Sequence, residues 1–300
     1  DEAVAMQLTD CMMLAYGQTG TGKTHSMLGT KESLKSDVEH EDWGIFPRLT
    51  HTVMKRLAAV RDDPENGCRY VLTVSAIEFY LSQALDLLDG KKPVVIDRNC
   101  DPVSAKQQEI EKVSDLEPFL ETVNANKTTA ATKMNAGSSR AHTALILHIH
   151  QYGTKNEEYA HNAFTLVDLA GAERTSKTGG KHFSGLEAFM EIAKCAKDGK
   201  PVDVGVEGTI INLELTMLVN EAKTATERHA SKHKYKSPTG GTTDFLRFMG
   251  GCFEGRKRLG MLICATPSVA NSGETWFSMN MGKGLAKLKV PLKMHKIKKF

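Results

Sequence analysis

One stretch constrains the fold of this chain more than any other. Asp10 to Tyr16 (DCMMLAY) is a short apolar run that ends at a glycine, and Gly17 to Thr24 (GQTGTGKT) then fit the pattern G-x-x-x-x-G-K-[ST]. The run reads as a buried strand, the glycines as a loop, and a helix is expected from about Lys23. Glycines let backbone N–H groups turn inward and approach phosphate oxygens closely, and a helix N-terminus adds a positive partial charge. In this reading Gln18, Thr19, Gly20, Thr21, Gly22, Lys23, Thr24 and His25 form the cradle. Lys23 reaches the β- and γ-phosphates of a nucleoside triphosphate, and the Thr24 hydroxyl reaches Mg²⁺.

The rest of the chain alternates in the way such a unit requires. Strands are expected at 70–80, 143–152, 163–169 and 258–265. Helices are expected at 47–60, 113–124, 186–197, 210–228 and 272–289. Strands alternating with helices predict an α/β layered fold. No repeat, sustained heptad or Pro/Ser-rich linker divides the sequence, so one domain is expected. Glycine clusters at Gly179-Gly180, Gly199 to Gly208, Gly240-Gly241 and Gly250-Gly251 are read as loops.

Composition narrows the class. The formal net charge of +3 is too small to imply nucleic-acid binding. The charge is local: RHASKHKYK (Arg228 to Lys236) contains no acid, and seven lysines lie between Lys283 and the C-terminus without one Asp or Glu. Such runs suit an acidic partner or a solvated face. The six cysteines include no C-x-x-C pair, which argues against a zinc site or disulfide framework and for a reducing, cytosolic compartment. No apolar run approaches membrane-spanning length, so no membrane partner is expected.

Two later motifs sharpen the chemistry. LVDLAGAER (Leu166 to Arg174) is an apolar strand ending in Asp168, followed by D-x-x-G through Gly171. An aspartate at a strand end can hold Mg²⁺ through water, and the Gly171 N–H is placed to bond a γ-phosphate and sense its loss. NAGSSRAH (Asn135 to His142) sets hydroxyls and an arginine in a loop before a strand. Ser139 is read as a contact for Mg²⁺ or the attacking water, and Arg140 as the partner of Glu173. D-x-x-G also occurs in GTPases, but these need N-K-x-D; the nearest segment, Asn126 to Thr129 (NKTT), lacks the aspartate.

In order and spacing, AYGQTGTGKTHSM, NAGSSRAH and LVDLAGAER resemble the phosphate loop, switch I and switch II of a kinesin motor domain. GIFPR (Gly44 to Arg48), SAIEFYLSQALDLL (Ser75 to Leu88), EGTIINLEL (Glu207 to Leu215), CATPS and ETWFSMNMGKGLAKLK add weaker likenesses, so the resemblance covers nearly the whole chain. It implies a P-loop NTPase fold of kinesin type: a central, mostly parallel mixed sheet flanked by helices on both faces. It implies ATP or ADP and Mg²⁺ as ligands, microtubules as partner, a cytoskeletal location and ATP hydrolysis. It assigns Ser139, Arg140, Gly171 and Glu173 to catalysis, and Thr24, Ser139 and, through water, Asp168 to the metal. Residues 1–289 are expected to be the motor domain, and 290–300 a basic tail in the place of the family's neck linker.

Four departures accompany the likeness. The family's first strands and its adenine-touching R-x-R-P precede the phosphate loop by more residues than this chain offers. The serine after the switch I arginine is replaced by Ala141. About two dozen extra residues, roughly 182 to 205, follow switch II and carry a helical pattern. The family's V-P-Y-R-D-S-K-L-T is nearly lost in KYKSPTGGTTDFL, and the Lys-Ser of its switch II helix is Leu213-Glu214 here. Lys232, Lys234 and Lys236, with the 182–205 insertion, are the expected microtubule contacts. Two further readings stay open: a non-motile, kinesin-derived structural protein that binds nucleotide, and a P-loop switch unrelated to tubulin. Oligomeric state is not fixed by this sequence.

Overall fold

The computed structural model describes residues 9–61, 67–127, 140–154, 158–171, 181–238, 242–268 and 271–293, and the backbone of 298–299. Its strands are β1 (Asp10–Tyr16), β2 (Cys68–Tyr80), β3 (Gln83–Asp86), β4 (Gln108–Glu109), β5 (His142–Gly153), β6 (Glu158–Asp168), β7 (Lys257–Ile263) and β8 (Lys298–Lys299). Its helices are α1 (Lys23–Leu28), α2 (Ile45–Arg61), α3 (Leu116–Asn126), α4 (Gly185–Asp198), α5 (Val204–Ala230), α6 (Asp244–Phe253) and α7 (Ser272–Leu285).

The strands form one sheet in the order β3-β2-β5-β6-β1-β7, with β4 on β2 and β8 on β6. Side chains alternate across it and feed two cores. Met12, Leu14, Tyr16, Ile146 and Val167 face α5, α6 and α7 through Leu215, Leu218, Phe245, Phe248 and Met281. Ala15, Val74, Leu145, Leu147 and Leu166 face α1, α2 and α3 through Met27, Phe46, Phe119 and Leu120. This is the expected layer of helices on each face, built by the period of two along each strand.

The sheet is mixed, but it is not mostly parallel. Parallel pairing joins β6 to β1 and β1 to β7. The pairs β2–β3, β2–β4, β2–β5, β5–β6 and β6–β8 are antiparallel. The cause lies in the connections. Antiparallel neighbours can be joined by a short turn, whereas parallel ones need a crossover. β5 and β6 are separated by four residues, 154–157, and β2 and β3 by Leu81 and Ser82 alone.

Both residues of that second turn have positive φ, 47° and 73°, as a two-residue hairpin of matching twist requires. Neither is glycine, so the turn is held from outside. The Asp244 backbone N–H donates to Ser82 O at 3.1 Å, and the Asp244 carboxylate accepts from the Ala84 N–H at 3.1 Å.

Helix α6 corrects two expectations. No helix was expected there, and Gly250-Gly251 was read as a loop. The pair instead lies inside a helix capped by Thr243, whose hydroxyl accepts from the Leu246 N–H. A Cβ on Gly250 would come within 2.3 Å of the Ser237 hydroxyl. The glycine therefore serves close packing, which outweighs its low helix propensity. Gly205 and Gly208, also read as loop, lie in the first turns of α5 behind the Asp203 cap. Gly179-Gly180 and Gly240-Gly241 lie outside the described residues.

Candidate functional site

The C-terminal ends of the parallel strands β1, β6 and β7 meet at one edge of the sheet, where open α/β folds bind ligands. Register fixes the neighbours. Ala15, two residues before the glycine loop, pairs with Asp168 on one side and Leu262 on the other. A Cβ on Gly17 would lie 2.1 Å from the Cys264 carbonyl, so the loop leaves β1 at van der Waals contact with the residue after β7.

The loop then opens. Gly20 and Gly22 have φ of 81° and 90°, and among the described residues nothing beyond their chain neighbours lies within 4 Å of the Cβ position of either. Their conformations favour glycine and turn the backbone around an open concavity. Thr21 closes the turn on Gln18 O through its N–H (3.2 Å) and its hydroxyl (2.7 Å). Lys23 Nζ donates to Gly17 O at 2.7 Å and Gln18 O at 3.2 Å, which fixes the ammonium over the loop. Gln18 Nε2 donates to Asn271 Oδ1 at 3.0 Å and ties the loop to the start of α7. Thr19, Thr24 and His25 are exposed at the mouth.

Two residues far apart in sequence meet here. The Thr24 hydroxyl donates to Asp168 Oδ2 at 3.3 Å. Asp168 Oδ1 is buried and has no hydrogen-bond partner among the described residues, as do Gln18 Oε1 and Arg140 Nε. A free carboxylate oxygen beside a hydroxyl, at the mouth of a glycine cradle with a fixed ammonium, suits a phosphate carrying a hard divalent cation. The residues present therefore fit Mg²⁺ with a nucleotide.

After Asp168 the chain leaves β6 through Leu169 to Gly171. The Leu169 N–H donates to Ala15 O at 3.0 Å, and the Ala170 N–H to His142 Nδ1 at 3.0 Å. Arg140 is buried just before β5. Ser139 and Glu173 lie outside the described residues, so the structure does not describe the expected Arg140–Glu173 pair.

Sequence reasoning missed four groups around this site. Glu207, on α5, accepts from the Tyr80 hydroxyl at 2.7 Å. Burial raises its pKa, while Tyr80 and the charge of Arg140 oppose that shift. Lys127 follows α3; burial lowers its pKa, and the negative charges of Asp168 and Glu78 act the other way. It lies in the NKTT segment that was tested only as a guanine reader. The buried His142 and Glu214 stand 3.4 Å apart. Glu207 and Glu214 fall in EGTIINLEL and His142 closes NAGSSRAH, but neither motif says what these side chains touch; the register of β5 and the packing of the long helix α5 bring them in, and Lys127 enters at the end of α3.

The basic run and the insertion both fold. Lys232, Lys234 and Lys236 are exposed while Tyr235 between them is buried, with its hydroxyl donating to the Glu221 carboxylate. In the insertion, Ser184 and Glu187 form a reciprocal cap at the start of α4, and Gly199 ends the helix in the left-handed conformation. Ala188 packs on Val206 and Ile210 of α5, and Leu186, Phe189 and Met190 remain exposed.

A model of the kinesin motor domain matches residues 3–287. The chain belongs to the kinesin motor-domain family. Kinesin-like protein KIN-1 of Arabidopsis thaliana is 28% identical over 95% of this chain and 56% of its own length. The kinesin heavy chain of Drosophila melanogaster is 27% identical over 94% of this chain and 27% of its own length. The chain thus spans about a quarter to a half of these relatives. Among solved structures, a KIF14 dimer with AMP-PNP in complex with a microtubule superposes with a TM-score of 0.69. It is 25% identical, and the match covers 97% of this chain and 75% of that one. KIF14 with ADP in complex with a microtubule gives a TM-score of 0.71 at 23% identity. The kinesin-type fold is therefore established for this chain. Among its described residues, no helix is long and apolar enough to cross a membrane.

Proposed function

We propose that this chain is a divergent kinesin motor domain that hydrolyses ATP and couples the hydrolysis to microtubule binding. The observation that carries the reading is the meeting of Thr24 and Asp168 at the mouth of the glycine cradle. Lys23, held over the loop by Gly17 O and Gln18 O, turns to the phosphates. The amides of residues 20–25 surround them, and Gln18 orients the loop through Asn271. Thr24, Ser139 and, through water, Asp168 would hold Mg²⁺, which would supply charge neutralisation to the phosphates. The Gly171 N–H bonds the γ-phosphate. Arg140 and Glu173 close over the site and place the water, and Glu173 receives its proton. Catalysis then rests on positioning and fixed charge.

Lys232, Lys234 and Lys236 face an acidic microtubule surface, anchored by Tyr235, with α4 of the insertion beside the same helix α5. This agrees with the microtubule complexes of KIF14 and implies a cytoskeletal location. Residues 1–289 act as the motor unit, and 290–300 take the place of the neck linker. One observation favours a second reading. The exposed Leu186, Phe189 and Met190 on α4 and the replacement of a family lysine by Leu213 alter the face beside α5, as a non-motile, nucleotide-holding microtubule protein would allow. Titration with a fluorescent ATP analogue, with Mg²⁺ and with a chelator, tests the nucleotide site. Saturable, Mg²⁺-dependent binding is expected; no binding in either condition contradicts the reading.

A further inference from the structure

His142 is held on three sides. It opens β5, its side chain is wholly buried, and its Nδ1 accepts the Ala170 N–H at 3.0 Å. Its ring stacks on Phe245 of α6, with centroids 4.3 Å apart and planes at 26°. Its Nε2 lies 3.4 Å from Glu214 Oε2, and Glu214 is 3% exposed. Because Nδ1 is an acceptor, the ring proton sits on Nε2, which lies 3.4 Å from this carboxylate without closing a hydrogen bond to it; Nε2 and Glu214 Oε1 have no hydrogen-bond partner among the described residues.

A carboxylate buried in an apolar layer persists only with a partner. Glu214 lies on α5 among Ile211, Leu215 and Leu218, all part of one core. The imidazole is what it faces there. The same imidazole fixes one of two successive amides in the segment after Asp168: Leu169 N–H is held by Ala15 O, and Ala170 N–H by His142. The next amide, Gly171, is the one assigned to the γ-phosphate. A side chain in the middle of the longest helix is thus two contacts away from the phosphate-facing segment.

We propose that Glu214 is a positioning residue: through the His142 imidazole it fixes the Leu169–Gly171 segment and ties the phosphate end of the site to helix α5. The residue is this chain's own, since the motif it occupies has serine in the family the sequence resembles. Linkage makes the coupling reciprocal. A phosphate that moves the segment must load or release Glu214, and loosening Glu214 must change the affinity for the γ-phosphate. The phosphate half of this proposal rests on the nucleotide reading above; the structural half does not.

The test uses the full chain and the variants Glu214→Leu, Glu214→Gln and the double variant His142→Phe with Glu214→Leu. The double variant removes the buried pair together, which is often neutral for stability where breaking one partner is not. Amide hydrogen exchange at Leu169–Gly171 is read beside the thermal midpoint and the affinities for a non-hydrolysable ATP analogue and for ADP. Glu214→Gln and Glu214→Leu keep the His142–Ala170 hydrogen bond, and each is expected to exchange about tenfold faster than the wild type at Leu169–Gly171, with β1 unchanged. Their preference for the ATP analogue over ADP is expected to fall about tenfold. The double variant, which also removes the acceptor of the Ala170 N–H, is the stability control and sets the exchange expected of the unpinned segment. Wild-type exchange at the segment in whichever variants fold overturns the proposal, and faster exchange with an unchanged ATP/ADP preference overturns the coupling to phosphate. If the wild type binds neither nucleotide, the nucleotide reading fails, and exchange alone decides whether Glu214 pins the segment.

Discussion

The Thr24 hydroxyl donates to Asp168 Oδ2 at 3.3 Å, across the junction of helix α1 and strand β6. The residues are far apart in sequence and are brought together by the parallel pairing of β1 with β6, which sets Ala15 opposite Asp168. In the proposed function, this hydroxyl and carboxylate take the metal-bearing end of the nucleotide. They also define which side chains should matter first.

Lys23→Ala should abolish tight ATP binding. The ammonium already sits over the loop on Gly17 O and Gln18 O, from which it turns to the phosphates. Losing a charge-assisted contact of this kind costs about 2–5 kcal/mol, or roughly 30-fold or more in affinity. Equilibrium titration with a fluorescent ATP analogue measures it, and affinity within twofold of wild type contradicts the role.

Glu173→Ala should leave ATP binding intact and stop hydrolysis. Loss of a positioned proton acceptor lowers turnover by about 10²–10⁴-fold. Binding and single-turnover hydrolysis measured on the same preparation separate the two steps. Equal turnover in the variant and the wild type removes the gating role assigned to the Arg140–Glu173 pair.

Neutralising Lys232, Lys234 and Lys236 together should weaken microtubule co-pelleting at low salt. The three are exposed on a segment pinned by buried Tyr235, so their charge can be removed without touching the core. The difference should shrink as salt is raised toward about 0.15 M, where the screening length is near 8 Å. Pelleting that is unchanged at low salt refutes the contact.

A histidine row gives the pH dependence. His148 Nδ1 lies 3.0 Å from His161 Nε2, and His148 Nε2 lies 2.8 Å from the Ser75 hydroxyl. Burial, with the neighbouring imidazoles, pushes His148 down to about 3 and His150 to about 4 from the ordinary 6.5. Both are therefore neutral when folded, while the unfolded chain takes up protons below about pH 6.5. Their contribution is fully present above that pH and is lost progressively as pH falls toward 4 and then 3. From His148 alone the loss between pH 6.5 and 5 is about 2 kcal/mol; the less buried His150 adds less. Urea unfolding across this range measures it, and His148→Gln should flatten the slope.

Much of this architecture was legible because the chemistry is local. The run DCMMLAY and the glycine loop after it specify β1, the cradle and α1 without outside help. The apolar end of β6 placed Asp168, and five helices fell near their expected positions. What was not legible depends on other parts of the chain. The Gly250-Gly251 pair looks like a loop until Ser237 is packed against it. Leu81 and Ser82 carry no glycine, so the hairpin that makes the sheet largely antiparallel on one side has no turn signal; the N-terminus of α6 supplies it. Glu214 looks like an ordinary exposed helix residue until β5 brings His142 beneath it. Buried polar partners of this kind are set by tertiary register, which no window of sequence contains.

The central claim is that the cradle powers ATP hydrolysis coupled to a microtubule. Steady-state ATP turnover, with and without microtubules, tests it most directly. The account predicts measurable turnover that rises strongly as microtubules are added. Nucleotide bound but turnover unchanged by microtubules would contradict it, and would leave the cradle a structural or regulatory nucleotide site.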